Sequence, residues 1–287
     1  MIGQIQLIKT VSSQIETDTF PQFSIFTGEH GSGKKELIKV LIKHFGDCVV
    51  YNSNIGVADV REAITYMYNV NRRSIFTFYD VDTMSIQAKN ALLKVAEEPP
   101  KNVYIIMTVS DINTVLDTIK SRASIYSLDP YSREELLQYA HDVINAKHDD
   151  DLICQLCNTP GEIKLFYDQG AEDLWDYAEM AVDNIAEVSG ANAFKMANKI
   201  AFKDGDEGFS VQLFLKAFRQ VCMDRLVDRI NTPVEVNKYT KGIEVVSYTI
   251  QQLGITGINK VALFDIFILD IRKEWMDLGS TGTETSD

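Results

Sequence analysis

The stretch Phe23-Ser-Ile-Phe-Thr-Gly-Glu-His-Gly-Ser-Gly-Lys-Lys-Glu-Leu37 decides how the rest of the chain is read. Its apolar start predicts a buried strand over Phe23–Thr27. Leu37, Ile38, Leu41 and Ile42 then recur at helical spacing. Between strand and helix, Gly28, four residues, Gly33 and Lys34 keep the spacing of a phosphate-binding loop. Glycines there let backbone N–H groups wrap around phosphate oxygens, and the helix start adds partial positive charge. Gly28, Gly31, Ser32, Gly33, Lys34 and Lys35 are therefore the candidate nucleotide-binding residues. One position departs from the pattern. The residue after the loop lysine should be Ser or Thr, whose hydroxyl holds Mg²⁺, and here it is Lys35.

Outward from this loop, the chain alternates. Apolar runs at Val49–Tyr51, Ser74–Tyr79, Val103–Thr108 and Ser124–Tyr126 predict four further strands. Helical patterns fall before the loop, over Ile2–Ser12, and between the strands, over Val57–Met67, Ser85–Glu97 and Ile112–Ile119. Nearly continuous apolar strands separated by helices imply a parallel five-stranded sheet covered on both faces. After Asp129-Pro130 the strand signal ends, and every later segment reads as helix except a β-like Thr232-Pro-Val-Glu-Val236. The expected organisation is a nucleotide-binding-like core over 1–129, a helical lid over 130–180, an all-α C-terminal domain over 181–276 and a disordered Gly/Ser/Thr-rich tail over 277–287.

Hydrolysis would need more than the loop. It needs carboxylates after a second strand, one for Mg²⁺ and one to orient the attacking water. The second strand is 74–79, so the metal-side acid falls on Tyr79, with Asp80 where the water-orienting residue belongs. A tyrosine cannot supply that carboxylate at neutral pH. Lys35 and Tyr79 together count against hydrolysis, unless the register slips and Asp80 becomes the metal acid.

Composition excludes other classes. Hydrophobic residues make up 45% and charged residues 24%, ordinary for a globular protein. No apolar run reaches the ~18 residues of a membrane span, and the N-terminus lacks the basic start of a signal peptide, so a cytoplasmic protein with no membrane partner is expected. The net charge of −13 is uneven: residues 1–128 carry 13 basic against 13 acidic groups, residues 129–185 carry 3 against 14. That balance argues against general nucleic-acid binding by the chain alone. Of the four cysteines, Cys154 and Cys157 are spaced as two zinc ligands, but a structural site needs four. They are read as part of a buried helical face.

Four segments carry a family resemblance: Asp82-Thr-Met84, Asn90-Ala-Leu-Leu-Lys94, Glu97-Glu-Pro-Pro100 and Thr118-Ile-Lys-Ser-Arg122. Their order and spacing resemble the AAA+ clamp-loader family. Weaker similarity runs from about residue 22 to 168, and Ile258–Phe264 is similar to a segment of the family's collar helices. The resemblance implies an AAA+ core with a small helical lid, followed by a helical collar. It also implies that Arg122 acts as an arginine finger, reaching the γ-phosphate in a neighbouring subunit's ATP site.

Asn158-Thr-Pro-Gly-Glu162 looks like the family's sensor turn, where active members place an arginine on their own nucleotide; here the matching residue is Gly161. Lys35, Tyr79 and Gly161 together resemble the delta prime type of subunit, which lacks productive ATPase and donates the finger. The family's zinc-binding cysteine cluster is absent, since only Cys48 lies between loop and second strand. The resemblance therefore implies other clamp-loader subunits as partners in a heteropentamer, with the sliding clamp and primer-template DNA engaged through the assembly. It allows ATP or ADP without requiring either, counts against Mg²⁺ and expects no zinc. The alternative is a catalytically active clamp-loader ATPase that uses its own loop.

Overall fold

The computed structural model describes residues 3–43, 47–51, 55–145, 150–168, 170–201, 211–253 and 258–281. The chain divides into two compact units, Met1–Asn145 with Asn158–Gly161, and Ala146–Cys157 with Glu162–Asp287.

In the first unit, α1 (Ile5–Glu16) precedes β1 (Phe23–Thr27), α2 (Lys34–Ile42), β2 (Asp47–Tyr51), α3 (Val57–Asn69) and β3 (Ser74–Phe78). Then follow α4 (Ile86–Glu97), β4 (Val103–Val109), α5 (Asp117–Lys120), β5 (Ser124–Ser127) and α6 (Arg133–Tyr139). The five strands form one sheet in the order β2-β3-β4-β1-β5, with every pairing parallel. β1 and β3 are buried along their whole length, as expected of strands covered on both faces.

Period-two alternation assigns each strand residue to one of two cores. Phe23, Ile25, Phe76, Phe78, Ile105 and Met107 join Val60, Met67, Leu92 and Val95 from α3 and α4. On the opposite face Phe26, Ile75, Ile106 and Tyr126 meet Val11 of α1 and Leu37, Ile38 and Leu41 of α2. Each such side chain contributes about 1.5–3 kcal/mol by leaving water. α4 begins where Ser85 accepts a hydrogen bond from the Ala88 N–H, and the helix stops before Pro99-Pro100.

The second unit is helical throughout its described residues: α7 (Asp150–Leu156), α8 (Pro160–Asp168, its first residues counted with the first unit), α9 (Ala171–Asn184), α10 (Gly190–Ala201), α11 (Val211–Asp228), α12 (Pro233–Leu253) and α13 (Lys260–Thr281). α11 packs along α9 and α12, and α12 packs along α13. Phe214, Phe218, Phe264, Phe267 and Trp275 fill the centre, with Phe218 stacked on Trp275 at 5.9 Å. Gly242 of α12 lets α13 approach, because a Cβ there would stand 2.9 Å from the Trp275 ring. Arg272 donates to the carbonyls of Ile185 and Val188 just beyond α9. Two thiols of this unit, Cys157 and Cys222, are buried, and burial pushes each up to about 12, which leaves them unreactive. Cys154 is partly buried. The side chain of Cys48 lies outside the described residues. Among the described residues no helix is long and apolar enough to cross a membrane.

Several boundaries differ from the sequence reading. The β-like segment 232–236 is the start of α12, with Pro233 at the first helical position, where its missing N–H costs nothing. The first unit continues past residue 129 to Asn145 and includes α6, which the capping box of Ser132 and Glu135 starts. The division placed at 180 falls inside α9, which packs along α11. Helix α13 runs to Thr281, beyond residue 277, and residues 282–287 lie outside the described residues. The helix read over Ile112–Ile119 is a 3-10 turn at Ile112–Thr114 followed by the short α5.

Candidate nucleotide site and its edge arginine

The loop from Gly28 to Gly33 leaves the C-terminal end of β1, where ligands bind in open parallel sheets. Gly31 (φ 80°) and Gly33 (φ 88°) take left-handed conformations that turn successive N–H groups the same way. Among the described residues, the N–H groups of His30, Gly31 and Gly33 have no backbone acceptor. They form an amide cradle at the start of α2.

The loop's carbonyls are all occupied. Lys34 Nζ donates to the carbonyls of Gly28 at 2.5 Å and Glu29 at 2.8 Å. Thr159 Oγ1 donates to the His30 carbonyl at 3.1 Å, and the Gly161 N–H to the Gly31 carbonyl at 2.9 Å. The Tyr131 hydroxyl donates to the Ser32 carbonyl at 2.7 Å; burial raises the pKa of this phenol, so it remains a donor. Five consecutive acceptors are thus satisfied, which fixes the cradle's shape before any ligand arrives. Burial lowers the pKa of Lys34, while the carboxylates of Asp80 and Asp82 act against that shift.

Asp80 follows β3 in a left-handed conformation (φ 51°), held by its N–H on Thr108 Oγ1 at 2.8 Å. Its carboxylate pairs with Lys35 Nζ at 2.6 Å. Tyr79 is only 4% exposed, in the same core as α2, and Lys35 Nζ lies 5.2 Å from its ring centre. The fold implies Mg²⁺ at this end of the sheet, and the residues do not fit it. The hydroxyl position holds an ammonium, the metal-side acid position holds a buried phenol, and the nearest carboxylate is already paired to that ammonium.

Gly161 belongs to the same cluster, but through its backbone. A Cβ on it would stand 2.5 Å from Gly31 Cα, so no side chain fits in this arrangement.

Arg122 stands apart from the loop, one turn after α5, with its side chain 37% exposed. It donates to the Thr118 carbonyl at 2.7 Å and pairs with Glu97 of α4 at 3.0 Å. It also donates to Ser121 Oγ at 3.3 Å; because the side chain is partly exposed, an anion can reach it from solvent.

The structure brings Gly28, Gly31, Ser32, Gly33, Lys34, Lys35, Tyr79, Asp80 and Gly161 together, and leaves Arg122 at the surface. The sequence reading missed Tyr131, Thr159 and Thr108, which hold the loop and Asp80 in place. Thr159 sits in the turn already singled out, but Tyr131 and Thr108 carry no motif of their own. Asp82 and Lys89, near and within the family-like segments, are internal ties. Asp82 accepts the Ser110 N–H at 3.2 Å, and Lys89 donates to the carbonyls of Asp82 and Thr114.

Residues 48–132 match the family described as DNA polymerase III, delta subunit. The DNA polymerase III subunit gamma of Buchnera aphidicola subsp. Schizaphis graminum is 22% identical over half of this chain and 48% of its own length. The subunit tau of Escherichia coli K12 is 20% identical over 93% of this chain and 44% of its own length. The replication factor C small subunit of Methanoculleus marisnigri is 24% identical over 51% of this chain and 49% of its own length. The chain spans about half the length of these relatives, or less. Among solved structures, a DNA polymerase III gamma subunit-related protein of Thermotoga maritima aligns over 93% of this chain and 99% of its own, at 17% identity and a TM-score of 0.54. That likeness confirms the AAA+-type fold of sheet and helices. The sequence matches, to subunits of DNA polymerase III and of replication factor C, support the clamp-loader AAA+ family.

Proposed function

We propose that this chain is a delta prime-like clamp-loader subunit, which contributes an arginine to a neighbour's ATP site and performs little or no hydrolysis at its own loop. One observation supports this reading above the others: Lys35 stands where a metal-binding hydroxyl is needed and is ion-paired to Asp80 at 2.6 Å, whereas Arg122 remains at the surface. In the proposed complex Arg122 exchanges Glu97 for the γ-phosphate held by the adjacent subunit and stabilises charge that develops there. The complex then opens the sliding clamp and places it on primed DNA. Exchange is feasible because an exposed ion pair is worth only about 0.2–1 kcal/mol.

A second reading, an active loader ATPase, draws on the relatives named gamma and tau. It requires Lys35 to leave Asp80 and a metal to enter beside it.

The test is reconstitution. The purified chain is mixed with gamma-type ATPase subunits and a clamp-opening subunit from the same source. The expected result is one hetero-oligomer whose ATPase, stimulated by clamp and primed DNA, needs this chain. Failure to join the assembly, or full ATPase without it, contradicts the proposal.

A further inference from the structure

Lys35 is more than a lost metal ligand. Its ammonium has three donors, and Asp80 takes one of them. The side chain is 45% exposed, so the other donors are open to a ligand at the mouth of the loop. A divalent cation in a phosphate-binding loop bridges a carboxylate to phosphate oxygens and supplies positive charge. Lys35 already holds the carboxylate and carries the charge. A cation brought beside it would meet like-charge repulsion and would have to displace it from Asp80.

The cradle itself points to an anion independently of Lys35. Ser32 is 4% exposed, and its Oγ has no hydrogen-bond partner although it is buried. It faces across the loop, 3.1 Å from where a Cβ on Gly28 would stand. A buried hydroxyl without a partner is unfavourable, and a phosphate oxygen would satisfy it. The nine-residue α2 begins at this point, and Lys34 has Nζ within the same loop.

We propose that the Lys35 ammonium takes the place of the divalent cation, so that the loop binds the polyphosphate chain of a nucleotide directly, without a metal ion. Lys35 stays on Asp80 and donates its free N–H groups to the outer phosphates. This rests on the loop being a phosphate cradle and not on which clamp-loader subunit the chain is. A failure here is a failure of binding and leaves the assembly test untouched.

The experiment is ATP titration of the full chain, by calorimetry, in EDTA and in excess Mg²⁺, with tripolyphosphate as competitor. Wild type should bind ATP in EDTA at least as tightly as in Mg²⁺, and tripolyphosphate should displace it. Lys35→Ser should weaken binding in EDTA by roughly tenfold, the worth of one charged hydrogen bond, and Mg²⁺ should restore part of the loss. Lys35→Arg, which keeps the charge, should remain independent of metal. Circular dichroism of each variant confirms that the fold is intact. The proposal is overturned if wild type binds only with Mg²⁺ or not at all. It is equally overturned if Lys35→Ser binds as wild type does in EDTA, or if tripolyphosphate fails to displace ATP.

Discussion

The loop at the end of β1 and the turn after α5 carry the same kind of chemistry, cations suited to phosphate, in opposite states. At the loop, Lys34 lies on backbone carbonyls and Lys35 on Asp80, and three further donors lock the remaining carbonyls. At the turn, Arg122 is partly exposed and held by one surface carboxylate, one carbonyl and the Ser121 hydroxyl. Lys34 is buried on its carbonyls, and Lys35, itself 45% exposed, pairs with an Asp80 carboxylate that is only 15% exposed. The group that would serve a neighbour's has a partner it can give up easily. The burial of the partner, with Asp80 at 15% exposed against Glu97 at 52%, separates Lys35 from Arg122.

Substitutions can break that contrast in order of expected effect. Arg122→Ala in the reconstituted complex should lower hydrolysis at the one affected site by roughly 10³-fold, the usual size of an arginine-finger loss. Single-turnover ATPase measures it, and the isolated variant should unfold in urea as wild type does. At the loop the balance reverses, with stability affected and turnover not. Gly161→Ala forces a Cβ to 2.5 Å from the backbone of Gly31. It should cost roughly 1–3 kcal/mol, seen as a lower urea midpoint. Tyr131→Phe removes one donor from the Ser32 carbonyl and should cost about 1 kcal/mol in the same assay. A Gly161→Ala variant as stable as wild type would show that the turn at 158–161 is not seated on the loop.

Much of this was legible before any coordinates. The loop spacing, the five apolar runs and the helices between them yield the sheet and its two covered faces, because strands buried on both faces read as near-continuous apolar runs. Lys35, Tyr79 and Gly161 stood out as departures from known motifs. What the sequence does not display is the partner each one takes. That Lys35 meets Asp80 depends on parallel strands bringing the start of α2 and the end of β3 to the same end of the sheet, a contact across 45 positions. Tyr131 and Thr108 are ordinary residues made important by where parallel pairing puts them. The start of α12 was misread because Pro233, Val234 and Val236 look β-like locally, while burial of Tyr239, Gly242 and Val246 along one side favours a helix.

In the proposed complex this chain's phosphate chemistry is done in a neighbour's site and not in its own. Lys34→Ala, introduced into this chain alone within the assembled complex, tests it most directly through the steady-state ATPase rate with clamp and primed DNA. The rate should stay within about twofold of wild type, since a phosphate-loop lysine matters only where hydrolysis occurs. A loss comparable to that of Arg122→Ala would contradict it and make this loop a working ATPase.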